Sequence, residues 1–147
     1  MNHFRHSALV RVSAARLYDI ITDIEAYPRI ISQCKAAKII SRAPLADNSE
    51  EVTASLTLKL GPLKREFISR NIHTPNSLVK VNLQSGALHS LNGEWRLTEV
   101  DADNCNITCD FAFSLGHSAL DKLAAKFLQG YLKHSIEHYI AYAERRS

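Results

Sequence analysis

From Ser118 onward the chain contains no proline and a single glycine, Gly130. A helix of about 27 residues fits this stretch, and at 1.5 Å per residue it would be about 40 Å long. Stepping 100° per residue collects Leu120, Ala124, Phe127, Leu128, Tyr131, Leu132, Ser135, Tyr139 and Tyr142 on one wide face, opposite Lys122, Lys126, Gln129, Lys133 and Glu137. An apolar face of that length has to be buried, so the rest of the chain must supply a surface large enough to receive it.

That surface is legible as strands. EEVTASLTLKL (50–60) alternates cleanly, with Val52, Ala54, Leu56, Leu58 and Leu60 on one side and Thr53, Ser55, Thr57 and Lys59 on the other. This is the pattern of an antiparallel strand with one wet face. Gly61-Pro62 then turns the chain into LKREFISRNIHT (63–74), whose two faces are less distinct, and Pro75-Asn76-Ser77 into LVKVNLQ (78–84). After Gly86 comes a strand containing Trp95 and Leu97, then the turn DADN. The last strand, CNITCDFAFSL, puts Cys105, Ile107, Cys109, Phe111, Phe113 and Leu115 on one face. FRHSALVRV (4–12) and KAAKIISRA (35–43) add two strands nearer the N-terminus.

Between those two, Leu17, Ile20, Ile21 and Ile24 follow the spacing of one buried helix face, with Ser13 placed to cap it. Pro28 is expected to stop this helix at Tyr27 and to open a second short one, PRIISQC, at a new angle. The resulting order is strand, bent helix pair, six strands, long helix. It predicts an α+β domain in which a curved antiparallel sheet wraps the C-terminal helix and the bent pair plugs one end of the groove. Such a groove favours an apolar cavity between helix and sheet, a usual place for a small molecule.

At 147 residues, 46% hydrophobic and 22% charged, the chain is expected to form one domain over 1–147. No apolar run approaches a membrane span and MNHFRHSALVRV lacks a secretory signal's apolar core, so a soluble, cytoplasmic protein is expected. The net charge of +3 is scattered, with small clusters at Lys59/Lys64/Arg65/Arg70 and Arg145/Arg146. A nucleic-acid face is usually a denser basic stripe, and DNA is not expected as a partner. Cys105 and Cys109, four residues apart in one strand, lie roughly 13 Å apart, too far for a disulfide. With Cys34 they read as reduced, buried thiols.

The stretches ALVRVSAARLYDIITDIEAYPRIISQC, LHSLNGEWRLTEV and CDFAFSL carry a family resemblance, concentrated in D-x-x-x-Y-P (23–28) and in Leu91, Gly93 and Trp95 of L-x-G-x-W. The chain resembles the coenzyme-Q-binding START-like family of the helix-grip (birch-pollen-allergen-like, polyketide cyclase) superfamily, whose bacterial branch includes RatA-type ribosome association toxins. The resemblance covers nearly the whole chain. It implies a cavity for ubiquinone or another isoprenoid lipid, a carrier or chaperone role supporting respiration, transient membrane contact, and no shared catalytic set or resident cofactor. The competing implications are a toxin that binds the large ribosomal subunit and, more weakly, an oligoketide cyclase or aromatase. A Gly-Pro-Phe turn common in that family is here Gly86-Ala87-Leu88.

On fold and resemblance the cavity wall is assigned to Leu56, Phe67, Trp95, Phe111, Phe113, Phe127, Tyr131 and His138. Converging polar groups for a cyclase would come from Arg65, Asn71, His73, Tyr131 and His138, which read instead as structural or rim residues. HSIEH (134–138) matches an inverted zinc-protease pattern, but no downstream helix follows to supply a third ligand, so no metal is expected.

Overall fold

The computed structural model describes residues 2–86, 88–115 and 118–145, with the side chains of Leu115, Leu120, Asp121, Ala124 and Ala125 outside that description. The expected positions of Leu115 on the last strand and of Leu120 and Ala124 on the long helix fall outside the described residues. Strand β1 (Asn2–Val10) leads into helix α1 (Ala14–Thr22), a 3₁₀ turn (Ile24–Ala26) and helix α2 (Tyr27–Ile30). Strands β2 (Cys34–Pro44), β3 (Glu50–Leu60), β4 (Leu63–Thr74), β5 (Leu78–Ser85), β6 (Leu88–Asp101) and β7 (Asn104–Leu115) follow, and helix α3 (Ala119–Arg145) closes the chain. The strands form one antiparallel sheet in the order β1-β7-β6-β5-β4-β3-β2, curved around α3. This is the helix-grip fold.

The pattern that made β3 legible governs its burial: Val52, Ala54, Leu58 and Leu60 are buried and Lys59 is exposed. On β7 Cys105, Ile107, Cys109, Phe111 and Phe113 all point inward. Helix α3 buries Leu128, Tyr131, Leu132, Ser135, Ile136, Tyr139 and Ala143 and exposes Lys122, Lys126, Gln129, Lys133 and Glu137. All three cysteines are free and buried, and burial pushes the Cys34 thiol up to about 11. A thiol held protonated in this way is a poor nucleophile.

The bent helix pair exists, but its break lies at Asp23 and not at Tyr27. Ser13 caps α1 by accepting from the Arg16 amide at 3.2 Å. At the other end the Thr22 hydroxyl donates to the Tyr18 carbonyl at 2.8 Å, a back-bond that competes with the helix ladder. The Tyr27 hydroxyl donates to the Ile21 carbonyl, one of the acceptors a helix end leaves unpaired. Reaching it requires the chain to fold back between residues 22 and 27. Tyr27 itself is helical (φ −52°, ψ −39°), and Pro28 sits in the first turn of α2, where its missing N–H costs nothing. That helix ends at Ile30, since Ile31 is already extended.

Two glycines are required by close approach. Gly61 has φ +61°, and a Cβ there would lie 2.4 Å from the Phe127 ring, so the β3–β4 turn can rest on α3 only as glycine. Gly93 lies opposite Phe111 in the β6–β7 register, and a Cβ there would lie 2.2 Å from that ring. The L-x-G-x-W pattern is thus three inward positions in a row, the middle one vacated for the phenyl ring of the next strand.

Candidate functional site

Between α3 and the sheet the packing leaves a cavity of about 100 Å³. Leu56, Phe67, Trp95, Phe111 and Tyr131 of the expected residues line it. The other three are elsewhere. Phe113 is 1% exposed and fills the core one inward position beyond Phe111. Phe127 is half-buried beneath the Gly61 turn. His138 is half-buried off the wall, one residue round the helix from the inward Tyr139, and its Nδ1 has no hydrogen-bond partner among the described residues. Its neighbour His134 is exposed and accepts through Nδ1 from the Gln33 amide Nε2 at 2.9 Å; the two rings are 6.4 Å apart. Among the described residues no third metal-ligating side chain joins them.

One end of the cavity is aromatic. The Trp95 ring centroid lies 5.3 Å from that of Tyr139 and 5.8 Å from that of Phe111, both edge to face, and Tyr27 lies 5.7 Å from Tyr139. Such tilted contacts set the positive edge of one ring against the negative face of the next. The Tyr139 hydroxyl is hydrogen-bonded to that of Tyr27, which donates onward to Ile21. Burial raises the pKa of Tyr27, Tyr131 and Tyr139, so all three are neutral phenols at ordinary pH.

The wall also carries Ser69, which was not expected, and Asn71 and His73, expected as structural or rim residues. Inward positions on β4 are Phe67, Ser69, Asn71 and His73, and all four line the cavity. Their polar members are why the two faces of this strand look alike in sequence. The Ser69 hydroxyl donates to Asn71 Oδ1 at 3.2 Å, and Asn71 Nδ2 donates to the Val52 carbonyl at 3.1 Å. Burial lowers the pKa of His73, against the opposing pull of Glu50, and leaves the ring neutral near pH 7. Arg65 shares this inward row but stays half-buried at its outer end, its guanidinium donating to the Lys64 carbonyl at 3.0 Å. Stepping two residues at a time along β4 from Phe67 reaches Ser69, outside the expected set, and puts Asn71 and His73, expected at the rim, on the wall itself.

The family model for polyketide cyclase / dehydrase and lipid transport matches residues 10–138. The chain belongs to this family. Among relatives of this polyketide cyclase/START-like chain is the ribosome association toxin RatA of Pseudomonas aeruginosa, 30% identical over 111 residues, covering 76% of this chain and 74% of the relative. The Zhui aromatase/cyclase from Streptomyces sp. R1128 superposes with a TM-score of 0.83 at 16% identity, covering 99% of this chain and 94% of the other. A START superfamily protein from Mycobacterium smegmatis superposes with a TM-score of 0.75 at 20% identity over 99% of both chains. These two likenesses establish the fold shared across the family. No helix among the described residues is long and apolar enough to cross a membrane.

Proposed function

We propose that the chain holds an apolar ligand in this cavity as a carrier, with ubiquinone or a related isoprenoid lipid as the first choice, and does not convert it. The observation that carries the reading is the composition of the wall. Leucine, valine and aromatic side chains form most of it, and among the described residues, apart from tyrosines held neutral, its only imidazole is His73. Ring closure and dehydration need an acid and a base converging on one substrate, whereas among the described residues His73 has no acidic partner on the wall. The volume supports a division of the ligand: about 100 Å³ suits one ring, of the order of the benzene-sized void known from engineered cavities, so a long tail would lie outside. Mass spectrometry of lipids extracted from protein purified without detergent tests this. An isoprenoid quinone enriched well above its share of the cell's total lipid is expected, and a lipid profile matching the bulk extract would contradict the carrier reading.

A second reading, association with the ribosome, is favoured by the RatA relative and by one surface feature. Lys59 and Lys64 are exposed and directly opposite in the β3–β4 register. Like charges placed so repel each other, and a polyanion would relieve the repulsion. If this surface meets ribosomal RNA, with the large subunit as the expected target, a Lys59→Glu/Lys64→Glu variant should lose co-sedimentation with ribosomal subunits. The parent's co-sedimentation should weaken steeply as salt rises. Absence of parent co-sedimentation at low salt would remove this reading.

A further inference from the structure

The cavity wall changes character along its length. Phe67 and His73 are six residues apart on β4, roughly 20 Å of strand. Near Phe67 the neighbours are Leu56, its register partner, and Leu83, the partner of Ser69. Near His73 they are Val79 and, one strand further, Trp95. Strands β5 and β6 stay paired only between residues 78–82 and 92–96, so the sheet splits beyond Asn82 with Leu83 and Leu91 on either side. At the Phe67 end Leu56 and Leu83 are half-buried and Phe67 and Leu91 are each 8% exposed, while at the other end Asn71 and His73 are each 4% exposed. The more open end is therefore wholly apolar, and the polar side chains of Asn71 and His73 lie at the more enclosed end, among Val79 and the Trp95 ring cluster.

The closed end also has unused hydrogen-bonding capacity. The His73 ring makes no hydrogen bond to any described residue, although a neutral imidazole offers one N–H and one acceptor nitrogen. The ring is 4% exposed yet its nitrogens are not among the fully enclosed unpartnered atoms, so they keep access to the cavity that His73 lines, and a ligand oxygen there would make the bond that no described residue makes. The charged groups nearest to it, Arg42 and Glu50, are ion-paired with each other. No Asp, Glu, Lys or Arg lines the cavity among the described residues.

We propose that the ligand enters head first: an uncharged, oxygen-bearing head the size of one ring sits at the closed end against the His73 imidazole and the Asn71 amide, and the apolar tail leaves through the β5–β6 split. This rests on the ligand-binding reading above and adds the orientation of the ligand and the residues that receive its head. A carboxylate head would be stripped of water with no cation to receive it. The opposite orientation would place a head at the mouth beside Arg65.

The test is displacement of Nile red, an uncharged dye, from the full chain by a decyl-substituted benzoquinone, decylbenzene and decanoate. The quinone should displace it at about one tenth of the concentration of decylbenzene, the value of one hydrogen bond in affinity, with decanoate weakest. His73→Phe should erase the quinone's advantage while decylbenzene, which reports an intact cavity, is unchanged. Arg65→Gln should alter none of the three. Should His73→Phe fail to fold, the smaller His73→Leu reads the same difference. Equal displacement by quinone and decylbenzene in the parent would overturn the proposal. So would a loss of affinity on Arg65→Gln with none on His73→Phe. If the dye binds and none of the three displaces it, or the dye does not bind, the ligand-binding reading itself fails and this inference with it.

Discussion

A chain ending at residue 129 is expected to lose its fixed tertiary structure. The truncation removes Tyr131, Leu132, Ser135, Ile136, Tyr139 and Ala143, all less than a tenth exposed. It also bares the inner face of the sheet, including Trp95 and Phe111, which pack on Tyr139 or line the cavity beside it. Each large apolar side chain lost from a core typically costs ~2–5 kcal/mol. Four such residues together match or exceed the ~5–15 kcal/mol by which a domain of this kind is stable. The fragment should keep far-ultraviolet sheet signal, lose near-ultraviolet dichroism, bind hydrophobic dyes and aggregate. A soluble fragment with a single cooperative urea transition would contradict the role of α3 as the second wall of the core.

Gly93→Ala is the point substitution expected to do most harm for its size. The new methyl would lie 2.2 Å from Phe111 Cδ1, 2.4 Å from its Cγ and 2.7 Å from the Asp110 carbonyl oxygen. Neither Cγ nor a backbone oxygen can swing aside, so the two strands must separate or the phenyl ring must tilt into the cavity it lines. Overpacking of this kind costs ~1–3 kcal/mol, which for a chain of this length lowers the melting temperature by roughly 3–10 °C. Ligand binding should weaken in the same variant, because the displaced ring occupies the cavity. A melting temperature within a degree of the parent would show that Phe111 is not held against Gly93.

The fold was legible because its burial is periodic. The alternation of Val52 to Leu60 and of Cys105 to Phe113, and the helical face of Leu128, Tyr131, Leu132, Ser135 and Tyr139, each state which side is inward. The order of these elements leaves one arrangement that covers both apolar surfaces. The break in the bent helix pair was harder to place, because Pro28 is the visible signal while the side-chain bonds of Thr22 and Tyr27 set the position. The cavity wall was half legible. Phe113 and Phe127 have the same spacing and chemistry as residues on the wall, and only the packing distinguishes a ring that borders a void from one that fills it. Asn71 and His73 read in sequence as structural or rim residues, and Ser69 escapes notice, because polar residues at inward positions erase the alternation that marks a strand's buried side.

The central claim is that the space between α3 and the sheet takes an apolar ligand, and the protein's single tryptophan, Trp95, reports on it from the wall. Titration of the parent and of Ala54→Phe with a short-tailed quinone, followed by Trp95 emission and by denaturant melts, is the direct measurement. Ala54 is 1% exposed and lines the cavity, so a phenyl ring there grows into the void. The account predicts saturable quenching in the parent, its loss in Ala54→Phe, and nearly equal melts for the two. A parent with no saturable quenching, together with an Ala54→Phe protein destabilised by the ~1–3 kcal/mol expected of a solid core, would contradict it.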